Sequence, residues 1–298
     1  MDGDAHTPTP HRDGECQVLD AVRAGDIRAL QELSLSPAGF ASGHARKVAW
    51  PYLLQVDPSE PEREAGPSTR TLTPTSASPS SPSSSSSSGA QLPTSLPDDQ
   101  DLEEPHKDEF QVKLDTDRSF VLYPALHDTP KSRLQQRLNT LITRILRRRR
   151  ALSYVQGYHD VLAVLQLTLC PSDAPSGAEE WVLRRCAERI TLYRFRDAMG
   201  HGLEPLLGLL RILRRLLRLA DPPFARLIEQ TTPLPYYALS NLLTLFAHDV
   251  PTLPLIQHIW DFLLCREPVV VVYLAAALIL ERKAEVLRRV EEEGDEGA

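Results

Sequence analysis

The composition break at residues 57–105 constrains the fold of this 298-residue chain more than any other feature of it. Across that stretch Pro, Ser, Thr, Asp and Glu displace nearly every apolar residue, and from Ser76 to Ser88 the chain is serine apart from Ala77, Pro79 and Pro82. A segment of this kind buries too little apolar surface to offset the entropy of ordering it, so it is predicted to stay disordered. Structureless loops of such length are unusual inside a compact domain unless they are insertions. Because the cost of closing a loop rises only with the logarithm of its length, the residues on either side are predicted to build one domain across it. Thr73, Ser78 and Ser81, each followed by proline, are candidate phosphorylation positions within it.

Outside that stretch the apolar residues recur at helical spacing. Leu19, Val22, Ile27, Leu30 and Leu33 fit a first helical segment from Val18, with Asp26 as an internal cap and Pro37 closing it. Pro130 opens a helix to about Arg150, with Leu134, Leu138, Leu141, Ile142 and Ile145 on one face. Further helical signals run from Glu179 to Met199, Glu204 to Leu219, Phe224 to Glu229, Tyr236 to His248 and Leu253 to Leu264. Val269 to Leu280 is a run of twelve residues rich in apolar side chains; a membrane span needs about 20, so this is read as a buried helix. The fold class predicted is all-α. Its parts are a disordered lead at 1–16, a first part of the helical domain at 17–56, the insertion at 57–105, the main part at 106–290 and an acidic tail at 291–298. The lead shows no basic end, apolar run or small-residue cleavage site of a signal peptide, so the chain is expected to start in the cytosol.

Charge and side-chain chemistry narrow the function. The net charge of −7 is opposite to the footprint of a nucleic-acid-binding protein. Arg147 to Arg150 sit where they complement a helix C-terminus; a patch for an acidic partner or a nuclear signal are the other readings. Arg211, Arg214, Arg215 and Arg218 form a basic face, either a solvated stripe or a contact for an acidic membrane or partner. Four cysteines without a C-x-x-C pair support neither a zinc site nor a disulfide framework and fit a reducing compartment. Asp115 with Asp117, and His258 with Asp261, lack the further ligands a metal site requires. Neither G-x-S-x-G nor a glycine-rich phosphate loop is present, so the chain does not hold a nucleotide in that way.

Two stretches carry the remaining information. Tyr154-Val155-Gln156-Gly157-Tyr158-His159-Asp160 reads Y-x-Q-G-Y at the head of a helix that continues through Val161 to Leu169, before Pro171. Upstream, Val112-Lys113-Leu114-Asp115-Thr116-Asp117-Arg118 reads apolar-x-x-D-x-x-R. On spacing alone Arg118 is a surface arginine paired with Asp115 or Asp117, Gln156 an exposed residue at a helix start, and Tyr154 with Tyr158 a packed i,i+4 pair.

In this order the two stretches resemble the signature motifs of the TBC domain, the helical family of GTPase-activating proteins for Rab GTPases. Arg46-Lys47-Val48-Ala49-Trp50-Pro51-Tyr52-Leu53-Leu54 resembles the entry segment of that domain, where Trp50 is a core aromatic at a helix end. Tyr237 to Asp249 and Ile259-Trp260-Asp261-Phe262-Leu263 resemble its C-terminal half. The resemblance covers about Val18 to Arg289 and implies a single multi-helix TBC-type domain that accelerates GTP hydrolysis by a GTP-bound Rab. Arg118 is then an arginine finger and Gln156 a glutamine finger, both supplied in trans, with Asp115, Tyr154, Gly157 and Tyr158 in support.

The chemistry explains the pair: phosphoryl transfer spreads negative charge that a guanidinium stabilises, and needs a water that a carboxamide can position. Tyr154 and Tyr158 would fix the helix that aims Gln156. No cofactor belongs to the chain itself, since GTP and Mg²⁺ are carried by the partner. Within the family the wording is closest to the subgroup acting on the Rab of endoplasmic reticulum to Golgi traffic. That implies a cytoplasmic protein, peripheral at those membranes, in vesicle transport. Departures are Ser119 for the usual Thr and Asn241 where many members have Trp. The further helices, and the C-terminal anchor of that subgroup, do not appear in this sequence. The alternatives are a catalytically weak Rab-binding scaffold and a helical adaptor.

Overall fold

A computed structural model describes residues 10–59, 104–121, 130–172, 174–200 and 202–296, and the secondary structure among them is α-helical without strands. Most of the predicted insertion, and residues 1–9 of the predicted lead, lie outside the described residues.

The packing is organised around the helix at Tyr158–Leu169, in which every residue from Val161 to Leu169 is buried. A helix apolar on all sides must be enclosed by others. In chain order the helices are α1 (Pro10–Ala24), α2 (Ile27–Leu33), α3 (Gly43–Leu53), α4 (Glu109–Thr116), α5 (Lys131–Arg148), α6 (Tyr158–Leu169) and α7 (Gly177–Ile190). After a wide π turn at Thr191–Phe195 come α8 (Glu204–Ala220), α9 (Pro222–Thr231), α10 (Leu239–Thr244), α11 (Leu253–Leu264), α12 (Val270–Glu281) and α13 (Lys283–Glu296). Helices α3, α4, α5, α7, α10 and α11 all pack on α6. The chain on both sides of residues 60–103 therefore shares one core.

Helix α1 begins at Pro10, inside the stretch predicted as a disordered lead, which is corrected for residues 10–16. No apolar residue before Cys16 signals a helix. Proline is nevertheless tolerated in the first turn, Asp13 complements the dipole there, and Gly14 lies so near Ala41 that an added Cβ would come within 3.2 Å of the Ala41 Cβ. At the other end, α13 runs through the predicted acidic tail to Glu296. The ion pairs Arg289–Glu285 at 2.9 Å and Arg288–Glu292 at 3.8 Å carry the helix past Val290.

Pro51 does not stop α3 after Trp50; the helix continues to Leu53. A proline this close to the C-terminus removes one amide from the ladder, and the last turn still closes through Leu54 N–H to the Trp50 carbonyl at 2.9 Å and Val56 N–H to the Pro51 carbonyl at 2.9 Å. The predicted helix from Tyr236 to His248 is also shorter. It is a 3₁₀ turn at Tyr236–Ala238 followed by α10, and it ends where Leu245 and Phe246 take positive φ of 50° and 68°. Both side chains are buried, and the Leu245 carbonyl accepts the indole N–H of Trp260 at 3.0 Å, so tertiary contacts hold a conformation that sequence disfavours.

Three arginines of the run at the end of α5 are paired within the chain. Arg147 pairs with Glu109 at 2.6 Å, Arg148 with Glu188 at 3.0 Å and Arg150 with Glu104 at 3.3 Å. The entry segment is tied by a buried carboxylate. Asp261 accepts from the Arg46 guanidinium at 2.8 Å, the Trp50 indole at 2.8 Å and the Phe40 amide at 3.0 Å, which joins the entry segment to α11. Burial pushes the Asp261 pKa above the ordinary carboxylate value, against the pull of Arg46.

Candidate functional site

Helix α4 is too short to be stable alone and is fastened along its length. Asn139 of α5 donates to the Thr116 hydroxyl at 3.2 Å, and Gln135 donates to the Asp117 carbonyl at 2.7 Å. These bonds fix the point where the chain leaves the helix and Arg118 emerges.

The Arg118 side chain is 70% exposed, while its partner Asp115 is 1% exposed. Arg118 donates to Asp115 Oδ1 at 2.7 Å and to the Leu114 carbonyl at 3.1 Å. Of the two carboxylates that spacing allowed, Asp115 is the partner; Asp117 pairs with Lys113 at 2.9 Å. A guanidinium held at one edge by a buried carboxylate, with the rest in solvent, can meet an incoming anion with little loss of side-chain freedom.

The turn before α6 forms the facing wall. Its backbone is anchored by the Tyr154 amide on Asp108 Oδ2 at 2.8 Å and the Ser153 amide on the Met199 carbonyl at 2.7 Å. Gly157 caps α6 with φ of 93°, and a Cβ there would meet Thr244 Cγ2 at 2.7 Å. No other residue satisfies both the dihedral and the close approach of α10. Gln156, immediately before it, is exposed.

Arg118, Gln156, Asp115 and Gly157 line one groove of about 550 Å³, together with His159, Asp160, Leu243 and His248. The two tyrosines are placed differently. Tyr158 is buried, with its hydroxyl on Thr191 in the wide turn after α7 and its ring 5.7 Å from that of Phe195; burial raises its pKa. Tyr154 faces the polar side, donating to Asp115 Oδ2 at 2.9 Å with its oxygen 2.9 Å from His159 Nδ1. Its pKa is raised by burial and by the Asp115 charge. The rings are 6.4 Å apart, edge to face, so the i,i+4 pairing is real packing as well.

The polar network extends to residues that received no role from the sequence. His159 Nε2 lies 3.3 Å from Asp160 Oδ1, and Asp160 Oδ2 lies 2.8 Å from His248 Nδ1. The bond to Asp160 raises the pKa of His248, whereas burial lowers that of His159 against the pull of Asp160 and Asp115. The one available signal was two charged or titratable residues in the first turn of an otherwise apolar helix. Among the described residues, no group of three or more His, Cys, Asp or Glu is placed to hold a metal ion, and no helix is long and apolar enough to cross a membrane.

Comparison with known proteins matches residues 44–287 to the Rab-GTPase-TBC domain family. TBC1 domain family member 20 of Homo sapiens is 25% identical over 88% of this chain and 55% of its own length. GTPase-activating protein GYP8 of Saccharomyces cerevisiae is 27% identical over 91% of this chain and 52% of its own. GTPase-activating protein gyp10 of Schizosaccharomyces pombe is 29% identical over 61% and 46%. The chain spans about half the length of the curated relatives it matches.

Proposed function

The chain belongs to the Rab-GTPase-TBC domain family, and from that premise we propose that it accelerates GTP hydrolysis by a GTP-bound Rab-family GTPase, with Arg118 and Gln156 entering the partner's nucleotide site. The observation that carries this reading is the shared groove: an exposed guanidinium and an exposed carboxamide line it from two walls that are each held by buried polar groups. Arg118 neutralises charge developing on the transferred phosphoryl group and the leaving oxygen. Gln156 holds the attacking water in line. The partner supplies the nucleotide and its Mg²⁺. Resemblance of the motifs to the endoplasmic reticulum to Golgi subgroup supports a place of action at the cytoplasmic face of those membranes, in vesicle transport.

The test is a hydrolysis screen over a panel of GTP-loaded Rabs, repeated with Arg118→Lys and Gln156→Ala. An ammonium cannot reproduce the planar fork of donors, so Arg118→Lys keeps the fold and loses about 10²-fold or more of the acceleration, out of the roughly 10³ to 10⁵ an arginine finger supplies. Gln156→Ala loses much of it as well, and the Rab's own glutamine matters less. Near wild-type turnover by Arg118→Lys, or a silent Gln156→Ala beside an indispensable Rab glutamine, would overturn the two-finger reading. Binding to GTP-loaded Rab without any acceleration would make the protein a scaffold instead.

A further inference from the structure

The groove contains a buried polar chain that touches Arg118 from behind and is not explained by the two fingers alone. We propose that His159 is a positioning residue for Arg118, acting through Tyr154 and Asp115. The inference rests on the catalytic reading of Arg118 above.

The bonding pattern has a direction. Asp115 is an acceptor at both oxygens: Oδ1 takes Arg118 at 2.7 Å and Gln111 at 3.2 Å, and Oδ2 takes the Tyr154 hydroxyl at 2.9 Å. Tyr154 has one proton to give, and giving it to Asp115 leaves its oxygen to accept. Among the described residues, the group placed to donate to that oxygen is His159 Nδ1 at 2.9 Å. If His159 carried its proton on Nε2 alone, the one hydroxyl hydrogen would have to serve both Asp115 Oδ2 and His159 Nδ1, and whichever it left would face the Tyr154 oxygen as acceptor against acceptor. Two acceptors at that separation repel, which loosens one of the three donors fixed on the carboxylate that holds Arg118. A proton on Nδ1 therefore keeps the carboxylate in the rotation that presents Arg118 to the groove.

His159 itself is placed for an indirect role. Its side chain is 13% exposed against 70% for Arg118. Asp160 lies 3.3 Å from His159 Nε2 and reaches His248 at 2.8 Å, but a ring with its one proton on Nδ1 has none to donate from Nε2, so the chain that aims Arg118 ends at His159. Groups that act through a common partner are coupled, and their losses do not multiply.

The experiment measures stimulated GTP hydrolysis by the full chain on a Rab for which stimulation depends on Arg118, with His159→Ala, His159→Asn and Tyr154→Phe made alone and in an Arg118→Ala background. A finger loosened by a fraction of an ångström costs about tenfold in turnover, so His159→Ala and Tyr154→Phe each lower kcat by about that factor. KM for the GTP-loaded Rab stays within about twofold, because ground-state docking does not use the network. His159→Asn recovers most of kcat, since its amide nitrogen reaches the position of Nδ1 and donates. In the Arg118→Ala background each further substitution changes turnover by less than about twofold. Melting temperatures and circular dichroism of the same variants separate misfolding from mispositioning, and Tyr154→Phe, which removes a single oxygen, repeats the test if His159→Ala does not fold. Fully multiplicative losses with Arg118→Ala, a loss confined to KM, or His159→Asn as damaging as His159→Ala would each overturn this inference alone. Stimulation that depends on Arg118 for no Rab of the panel would remove the catalytic reading and this inference with it.

Discussion

Gly157→Ala is the most informative single change to the frame of the groove, because its cost comes from two separable causes. The residue has φ of 93° and ψ of −16°. An L-residue in the left-handed region costs roughly 1–2 kcal/mol. The new methyl would also lie 2.7 Å from Thr244 Cγ2, about 1 Å inside ordinary carbon–carbon contact, and overpacking of that kind costs roughly 1–3 kcal/mol. Reduced freedom of the unfolded chain returns about 0.4–1 kcal/mol. The expected net loss is about 1–5 kcal/mol, read as a lower urea midpoint at unchanged slope. Thr244→Ser dissects it. Serine removes Cγ2 but keeps the hydroxyl, which donates to the Ser240 carbonyl at 2.9 Å and accepts from the His248 amide at 3.3 Å. The double variant should therefore recover the steric part and retain the dihedral part. A Gly157→Ala protein within about 0.5 kcal/mol of wild type, the range of neutral surface changes, would refute the close approach of α6 and α10, and a Thr244→Ser change that rescues nothing would refute the steric share.

Arg46→Met should cost about 3–5 kcal/mol in urea unfolding, because it leaves the Asp261 carboxylate buried without its counter-charge; a loss under about 1 kcal/mol would show that the pair is not the tie between α3 and α11. His248 should titrate above the ordinary histidine value of about 6.5 in an NMR pH series and return toward it in Asp160→Asn, since the bond to Asp160 is the largest cause of its shift. A raised folded pKa contributes stability that is fully present below the unfolded value and is lost as pH rises through the folded value. The difference in urea midpoint between wild type and Asp160→Asn should accordingly shrink on going from acid to alkaline conditions, and a difference that grows would reverse the assignment.

What the sequence disclosed, and what it concealed, follows from the range of the interactions. The apolar stripe of α5 and the span of α11 are set by neighbours within the same helix, so periodicity and flanking prolines located them. The Arg118–Asp115 pair is three residues apart and spacing already allowed it. Asp261 was legible as a member of the Ile259-Trp260-Asp261-Phe262-Leu263 wording and beside His258, but not as a tie to the entry segment, because its partner Arg46 is 215 positions away. The same holds for the bond from His248 to Asp160, 88 positions apart. The break after Thr244 was invisible for a related reason: Leu245 and Phe246 favour helix locally, and the Trp260 indole that claims the Leu245 carbonyl is a tertiary neighbour. Gly157 could be read as part of a motif, but the need for glycine appears only once Thr244 is seen beside it.

The same separation of local and distant ties bears on how a long polar stretch can interrupt such a chain. Helix α3, before residues 60–103, is held by Asp261 of α11 and by packing on α6. Helix α4, after them, is held by α5 and by the same α6. Each flank is thus fixed to the core by contacts that do not pass through the intervening residues. The side-chain bonds that aim Arg118, and the turn that presents Gln156, draw on residues between Asp108 and Thr244. Lengthening the chain between two independently anchored ends adds only a logarithmic closure cost. It leaves the relative position of the guanidinium and the carboxamide untouched, so the geometry proposed for catalysis and the length of the segment upstream can vary independently.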